Sequence, residues 1–420
     1  MPASRAQAGL TVRVLEPGDG TDALLDLRVR AFGLVPGDGR HRWPAEQEPA
    51  IVGRRFLGAF AGRRLVAAAR FHDMTQWWNG RAVPMAGVAG VTVAPEERGR
   101  GVGRTLITAL LELIAARGYP LSVLFPSTLP IYRSLGWEIA GTSHEAVIAA
   151  HALRSLAPGD AAVAATPGPE PAGGVRRAGP QDAAEAAGVL ARVHGSARDS
   201  GPNVRDEQSL RLALGSESRF GYLAADGLLL YTWREGHDEV FVRLAAAASE
   251  QTTRALWGIV GSHCWIAERV RARVGPADPV WWLAREPVAE AVDHDDWMLR
   301  VVDPAAAIAA RGFPAADGLA VRLRIADTAR PANSGLWRLQ VGEGRGSLVR
   351  EPEVPVPAAV PGGAEGDGVL TLGARGLAAL YAGTPVATLR RAGLAAGGDE
   401  TGDALLDGAF AATPFMLDRF

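Results

Sequence analysis

The alternation of apolar and polar residues divides the chain into three blocks. In the first, period-two alternation predicts strands over 10–15, 55–60 and 64–73, with a helix over 22–32 after the first strand. A hairpin turn is expected at Trp78-Asn79-Gly80-Arg81, because Asn-Gly tolerates positive φ at both central positions. A strand over 88–93 then runs into a glycine-rich turn and a helix with Leu106, Leu110, Leu113 and Ile114 on one face. Residues 121–125 read as a buried strand and 129–135 as a short helix. The second block, 174–297, repeats this theme coarsely, with a helix over 181–194, strands over 221–223, 228–233 and 239–244, and a helix near 252–264. The third begins at Met298 with a strand over 300–302. A helix follows over 304–310, opened by Pro304 and closed by Gly312. Strands over 319–325 and 335–341, a helix over 374–381 and a packed apolar end over 404–420 complete it.

Between the first two blocks, residues 157–174 are rich in Ala, Pro and Gly and read as a linker, while 352–368 reads as a surface loop within the third. The expected fold is α/β (α+β). Its domains are 1–155 and 156–297, each a mixed sheet flanked by helices, and a third α+β domain, 298–420.

Composition narrows the picture in three places. A chain of 420 residues is too long for one core, so several domains are required. A net charge of −2 without a basic stripe excludes nucleic acid as the principal partner. The lone cysteine, Cys264, excludes an internal disulfide and reads as a small buried hydrophobe in a reducing compartment. No apolar run marks a signal peptide or a membrane span, so a cytoplasmic location away from membranes is expected.

The chemistry is concentrated in Val91-Thr92-Val93-Ala94-Pro95-Glu96-Glu97-Arg98-Gly99-Arg100-Gly101-Val102-Gly103 and the helix after it. Three glycines remove the side chains that would hold a bulky anion off the backbone, and the helix start offers unpaired amides and its positive dipole end. Arg98, Arg100 and Arg104 add charge there. This is a pyrophosphate-binding turn. The spacing is not that of a dinucleotide fingerprint, and no Gly-Lys-Ser/Thr ending makes a nucleotide-triphosphate loop. Arg98-x-x-Gly101-x-Gly103 behind Val-x-Val-x-Pro resembles the acetyl-CoA motif of the GNAT N-acetyltransferases. The second block has Ala245-Ala246-Ala247-Ala248-Ser249-Glu250 at this place, with neither glycine nor arginine. It reads as a degenerate copy without a cofactor site.

Taken with Ser127-Thr128-Leu129-Pro130-Ile131-Tyr132-Arg133-Ser134-Leu135-Gly136-Trp137, Trp297-Met298-Leu299-Arg300, Leu380-Tyr381-Ala382-Gly383 and the terminal Phe420, the chain resembles the enhanced intracellular survival (Eis) family of bacterial N-acetyltransferases. The resemblance implies an active GNAT domain, a second GNAT-like domain lacking the motif and a sterol-carrier-protein-like third domain. It also implies acetyl-CoA as cosubstrate, no metal, a small-molecule amine acceptor and a homohexamer. Carried over, the backbone of Val91 and Val93 pairs with the pantetheine arm, while Arg98, Gly99, Gly101, Val102 and Gly103 hold the pyrophosphate. Ser127 lies near the thiol unless it caps the following helix. The resemblance makes Tyr132 the expected general acid and the main-chain carboxylate of Phe420 the expected base; no histidine of the first block, His72 included, sits in a suggestive motif. Phe32 and Trp43 line the amine pocket, with Asp418 close to it. Leu34 and Arg419 stand where the family carries acidic residues, which argues against tight binding of highly cationic aminoglycosides. Trp77 and Trp78 are open to three readings: an apolar wall, exposed hairpin aromatics or an oligomer contact. Two other functions stay open, acetylation of protein lysine or a metabolite amine, and a lipid-binding scaffold.

Overall fold

The computed structural model describes residues 9–19, 21–33, 39–156, 174–234, 236, 238–284, 289–314, 318–352 and 368–420. The first unit runs β1 (Leu10–Val14), α1 (Thr21–Phe32), α2 (Gly39–Val52), β2 (Phe56–Ala61), β3 (Arg64–Trp78), β4 (Arg81–Val93), α3 (Val102–Ala116), β5 (Leu121–Leu124), α4 (Leu129–Arg133) and β6 (Glu138–Ala149). Asn79 and Gly80 take φ of 45° and 77° at the tip of the β3–β4 hairpin, the conformation that the Asn-Gly pair was expected to supply. That hairpin is much longer than the alternation suggested, because β3 continues to Trp78 and β4 starts at Arg81. Val83 and Met85 are buried between exposed Ala82 and Pro84, and the strand becomes buried on both faces only at Met85–Val88.

The second unit adds β7 (Arg176–Ala178), the helix Ala183–Ala197, β8 (Asn203–Arg205), the helix Glu207–Leu214, β9 (Phe220–Ala224), β10 (Gly227–Trp233), β11 (Glu239–Ala247), the helix Glu250–Gly261, β12 (Arg269–Val274) and β13 (Ala289–Val301). The two units share one sheet, ordered β1-β2-β3-β4-β5-β13-β6-β12-β11-β10-β9-β7, with β8 pairing β3. β13 is therefore wedged between β5 and β6 of the first unit, and it spans the point, 297/298, where the sequence suggested a boundary.

The third unit is a five-stranded sheet with helices against it. Its order is β16 (Arg345–Glu351), β15 (Gly335–Gly342), β14 (Leu319–Ala326), β17 (Val369–Gly373) and β18 (Ala395–Gly397). Its core is continuous with the back of the first unit. Trp78 is fully buried, meets Tyr381 edge-on at 4.9 Å and Trp297 at 6.4 Å, and Trp77 is 8% exposed. Both tryptophans are thus internal, and the readings that placed them on a pocket wall or an exposed hairpin are corrected.

The packing of α3 sets the position of the glycine turn in front of it. In this helix Leu106, Ile107, Leu110, Leu111 and Ile114 form a stripe at i, i+1, i+4, i+5 and i+8 buried against the sheet. Each such side chain contributes about 1.5–3 kcal/mol on burial. That anchorage fixes where the helix N-terminus points.

Candidate active site

The site begins as a fork between two parallel strands. β4 pairs with β5 only over Met85–Gly87 against Leu121–Val123. Beyond that the strands separate, so residues 88–93 keep β3 on one edge and lack a ladder partner on the other among the described residues. Backbone N–H and C=O groups on such an edge are ready to pair with an extended ligand. Val91 and Val93 lie on this stretch, half-buried beside α3.

At the open end of the fork, Gly99 and Gly101 take φ of 75° and 82°. Gly101 is the N-cap of α3 and provides no side-chain cap. The first intrahelical donor is Thr105 N, to Gly101 O at 3.0 Å, which leaves the amides of Val102, Gly103 and Arg104 for a ligand. A Cβ on Gly103 would approach Ile131 Cδ1 to 3.3 Å and Val93 Cγ2 to 3.4 Å, so the helix start can lie close to both the strand and α4. Buried Glu97 ties the turn down by accepting from Arg64 at 2.5 Å and Arg100 at 3.3 Å. Arg104 donates to Ser134 Oγ at 2.6 Å, and Arg98 donates through Nε to Val93 O at 3.4 Å. Arg100 and Arg104 therefore already have partners, while Arg98 keeps its terminal nitrogens at the exposed rim. This residue set suits an acetyl-CoA pyrophosphate and pantetheine arm.

On α4, Tyr132 is 4% exposed and stands edge-on to Trp137 at 6.3 Å. Desolvation pushes its phenol up to about 12, so it carries its proton throughout the neutral range. Among the described residues its hydroxyl makes no hydrogen bond, which leaves that donor available. Ser127 is exposed and does not cap α4; the N-cap is Thr128, without a side-chain bond.

The opposite face of the fork receives the end of the chain. A Cβ on Gly87 would come within 2.7 Å of Met74 Sδ and 2.8 Å of Phe420 Cε2, so the Phe420 ring lies directly on Gly87 at the point where the strands part. Phe125 meets this ring at 5.8 Å and His72 at 6.1 Å, both edge-on. Thr142 and Phe415 form a bridge that holds the tail, and Arg419 stacks over Phe125 at 5.1 Å while bonding Asp295 at 2.5 Å. Gly87, Met74 and Phe125 escaped the sequence reading. The one signal was a glycine in an otherwise apolar strand, a mark of close approach.

The expected acceptor residues do not all gather here. Trp43 is half-buried in the cluster under α1 and α2, on the sheet face that also carries Phe420, whereas Phe32 is 54% exposed. Asp418 approaches Arg273 of the second unit at 3.8 Å. Leu34 lies outside the described residues.

Comparisons with known proteins identify the domains. Family models described as acetyltransferase (GNAT) domains match residues 12–140 and 198–301, and a sterol carrier protein domain matches 304–417. The chain is 42% identical to a GCN5-related N-acetyltransferase from Kribbella flavida, with a TM-score of 0.89 and 98% of each chain covered. It is 28% identical over 337 residues to the N-acetyltransferase Eis of Mycobacterium tuberculosis, covering 74% of each. Its fold also matches Eis1 from Mycobacterium abscessus, with a TM-score of 0.72 at 23% identity, covering 98% of this chain and all of that one.

Proposed function

Because the chain belongs to the GCN5-related N-acetyltransferases and is of their Eis type, we propose that it acetylates a primary amine at the β4–β5 fork, with Tyr132 as proton donor and the Phe420 carboxylate as proton acceptor. Acetyl-CoA would supply the acyl group and a thiol leaving group. The open edge at Val91 and Val93 would align it, and Gly99, Gly101, Val102 and Gly103, with Arg98 at the rim, would hold its pyrophosphate.

The observation that carries the reading is the seating of Phe420 on Gly87, across the fork from α4. A carboxylate there would attract a cationic amine and take the proton whose loss frees the nucleophilic lone pair, directly or through water. The amine lone pair would then form the new C–N bond as the C–S bond breaks. Tyr132 would hydrogen-bond the departing sulfur and deliver its proton. No acyl-enzyme is invoked, since among the described residues no nucleophile paired with a base stands at the fork. The acceptor is proposed to be an aminoglycoside or other polyamine, the alternative being protein lysine or a metabolite amine. The homohexamer is proposed on the resemblance alone; sedimentation of the full chain tests it.

The deciding experiment measures thiol release from acetyl-CoA with aminoglycosides, simple polyamines, arylalkylamines and lysine peptides. Amine-dependent release is expected. Silence across the panel, with acetyl-CoA still bound, would overturn the reading in favour of an inactive scaffold.

A further inference from the structure

The face of the sheet that receives Phe420 continues into the second unit, and its charge changes sign along the way. Residues directly opposite in a ladder share a face. Asp293 of β13 and Arg273 of β12 both stand opposite Glu145 of β6, and Asp295 is two residues along from Asp293. The row therefore runs from Phe125, through the carboxylates of β13 and β6, to arginines on β12 and β11.

At the far end of this row is a cavity of about 280 Å³ beside the tail. Arg219, Arg243, Arg273 and Arg419 reach it, with Asp418 the one carboxylate among the described lining residues. Asp295 answers Arg419 at 2.5 Å, and Asp418 lies 3.8 Å from Arg273. Arg243 forms no ion pair among the described residues, and its Nε is buried without a hydrogen bond. Burial first, then Arg219 and Arg273, hold its guanidinium down to about 10, with Asp418 opposing them. A half-buried cation among like charges is the arrangement that a bound anion relieves, and a guanidinium offers carboxylate or phosphate two parallel donors. The cavity also abuts the proposed transfer site: Leu417, Asp418 and Arg419 line it, and the next residue is Phe420. Asn203, in its wall, belongs to β8, which pairs with β3 from Gln76 to Met74, and Met74 lies with Phe420 over Gly87.

We propose that this arginine-lined cavity is a subsite for an anionic group, carboxylate or phosphate, on the same acceptor whose amine is acetylated beside Phe420. The acceptor would then be an amine that also bears an acid, its ammonium end among the carboxylates and its anionic end against Arg243, which selects the metabolite-amine alternative over an aminoglycoside or polyamine. This deepens the amine-transfer reading and rests on it. The competing account is that Arg243 only stacks on Phe241, 5.2 Å away, and supports the fold.

The test compares matched amines on the full chain: cadaverine with lysine for a carboxylate, and ethanolamine with phosphoethanolamine for a phosphate. Calorimetric titration should show at least one anionic member binding about tenfold more tightly than its partner, as one charge-assisted contact allows. Arg243→Gln should remove that advantage and Arg243→Lys should keep part of it; Arg219→Gln provides a second variant if Arg243→Gln does not fold. Equal affinities within both pairs, or an advantage that survives in folded Arg243→Gln, would overturn the proposal. Thiol release with the same amines separates the two readings. A binding advantage without release from any amine would uphold the anion subsite and count against amine transfer.

Discussion

The two forks of the shared sheet have the same framework and opposite endings. β11 pairs with β12 only up to Val242 and Ala272 and then parts from it, as β4 parts from β5. Where α3 starts on a bare glycine, the Glu250–Gly261 helix starts on Ser249, whose Oγ accepts from Thr252 N at 3.2 Å, with Glu250 in the first turn. A capped, acidic helix start repels a pyrophosphate that an uncapped one attracts. After β12, the short helix Val280–Leu283 carries Trp281 and Trp282 where α4 carries Tyr132. The tail enters both forks: a Cβ on Gly275 would meet the Phe415 ring at 3.0 Å, as one on Gly87 would meet Phe420. A cavity of about 580 Å³ remains in the second fork, with Asp278 buried in its lining. The second fork thus keeps the strand geometry without a glycine helix start or a tyrosine on the short helix that follows.

Four experiments bear on this contrast. Tyr132→Phe should lower kcat by about 100-fold or more with little change in acetyl-CoA affinity. Tyr231→Phe, which removes a second-unit hydroxyl bonded to His263 at 3.0 Å, should leave turnover unchanged. Equal losses from both would remove Tyr132 as the acid. Next, residues added beyond Phe420 should depress turnover by about tenfold or more without shifting the melting temperature, because the Phe420 carboxylate becomes a peptide carbonyl that cannot take the amine proton. Full activity of a folded, tagged chain would sink the carboxylate's role.

The third concerns the retained cavity. Burial, opposed by the amides of Val280 and Gly275, raises the Asp278 carboxyl from 3.8 to about 6. The folded state then holds the proton more tightly than the unfolded one, so this group's stability is fully present below pH 3.8 and lost as pH rises through about 6. Asp278→Asn should therefore stabilise the chain by up to about 3 kcal/mol at pH 8 and hardly at all at pH 4, as melting curves would show. A gain that does not change with pH would mean that the carboxyl is not desolvated. The smallest effects come from the helix starts. Gly101→Val should raise the KM for acetyl-CoA by about tenfold, since a β-branched residue strains at φ of 82°. Ser249→Ala should cost about 1 kcal/mol of stability and leave that KM alone. A KM shift from Ser249→Ala would show that the second fork also handles the cofactor.

Much of the first unit was legible because its signals are local. Asn79-Gly80 dictated a hairpin, and the period of α3 showed its buried stripe. The glycines at 99, 101 and 103 and the alanines at 245–248 distinguished the two turns. The acceptor side was less legible. Phe32 and Trp43 were taken from a resemblance, and only Trp43 is packed beneath the face that carries Phe420. Trp77 and Trp78 stayed open to three readings because what covers them comes from far along the chain: His194 and Gly195 of the second unit at Trp77, and Tyr381 of the third at Trp78.

What the chain's sequence determined alone is the chemistry of short stretches: positive φ at glycine, free amides at an uncapped helix start, a phenol five residues after Ser127. Tertiary structure alone decided which of these meet. β13 crosses into the first unit's sheet, the tail carries Phe415 to one fork and Phe420 to the other, and arginines from β11 and β12 converge on one cavity. Such contacts join residues hundreds of positions apart, and they form only because burying the shared sheet outweighs the entropy of closing those long loops.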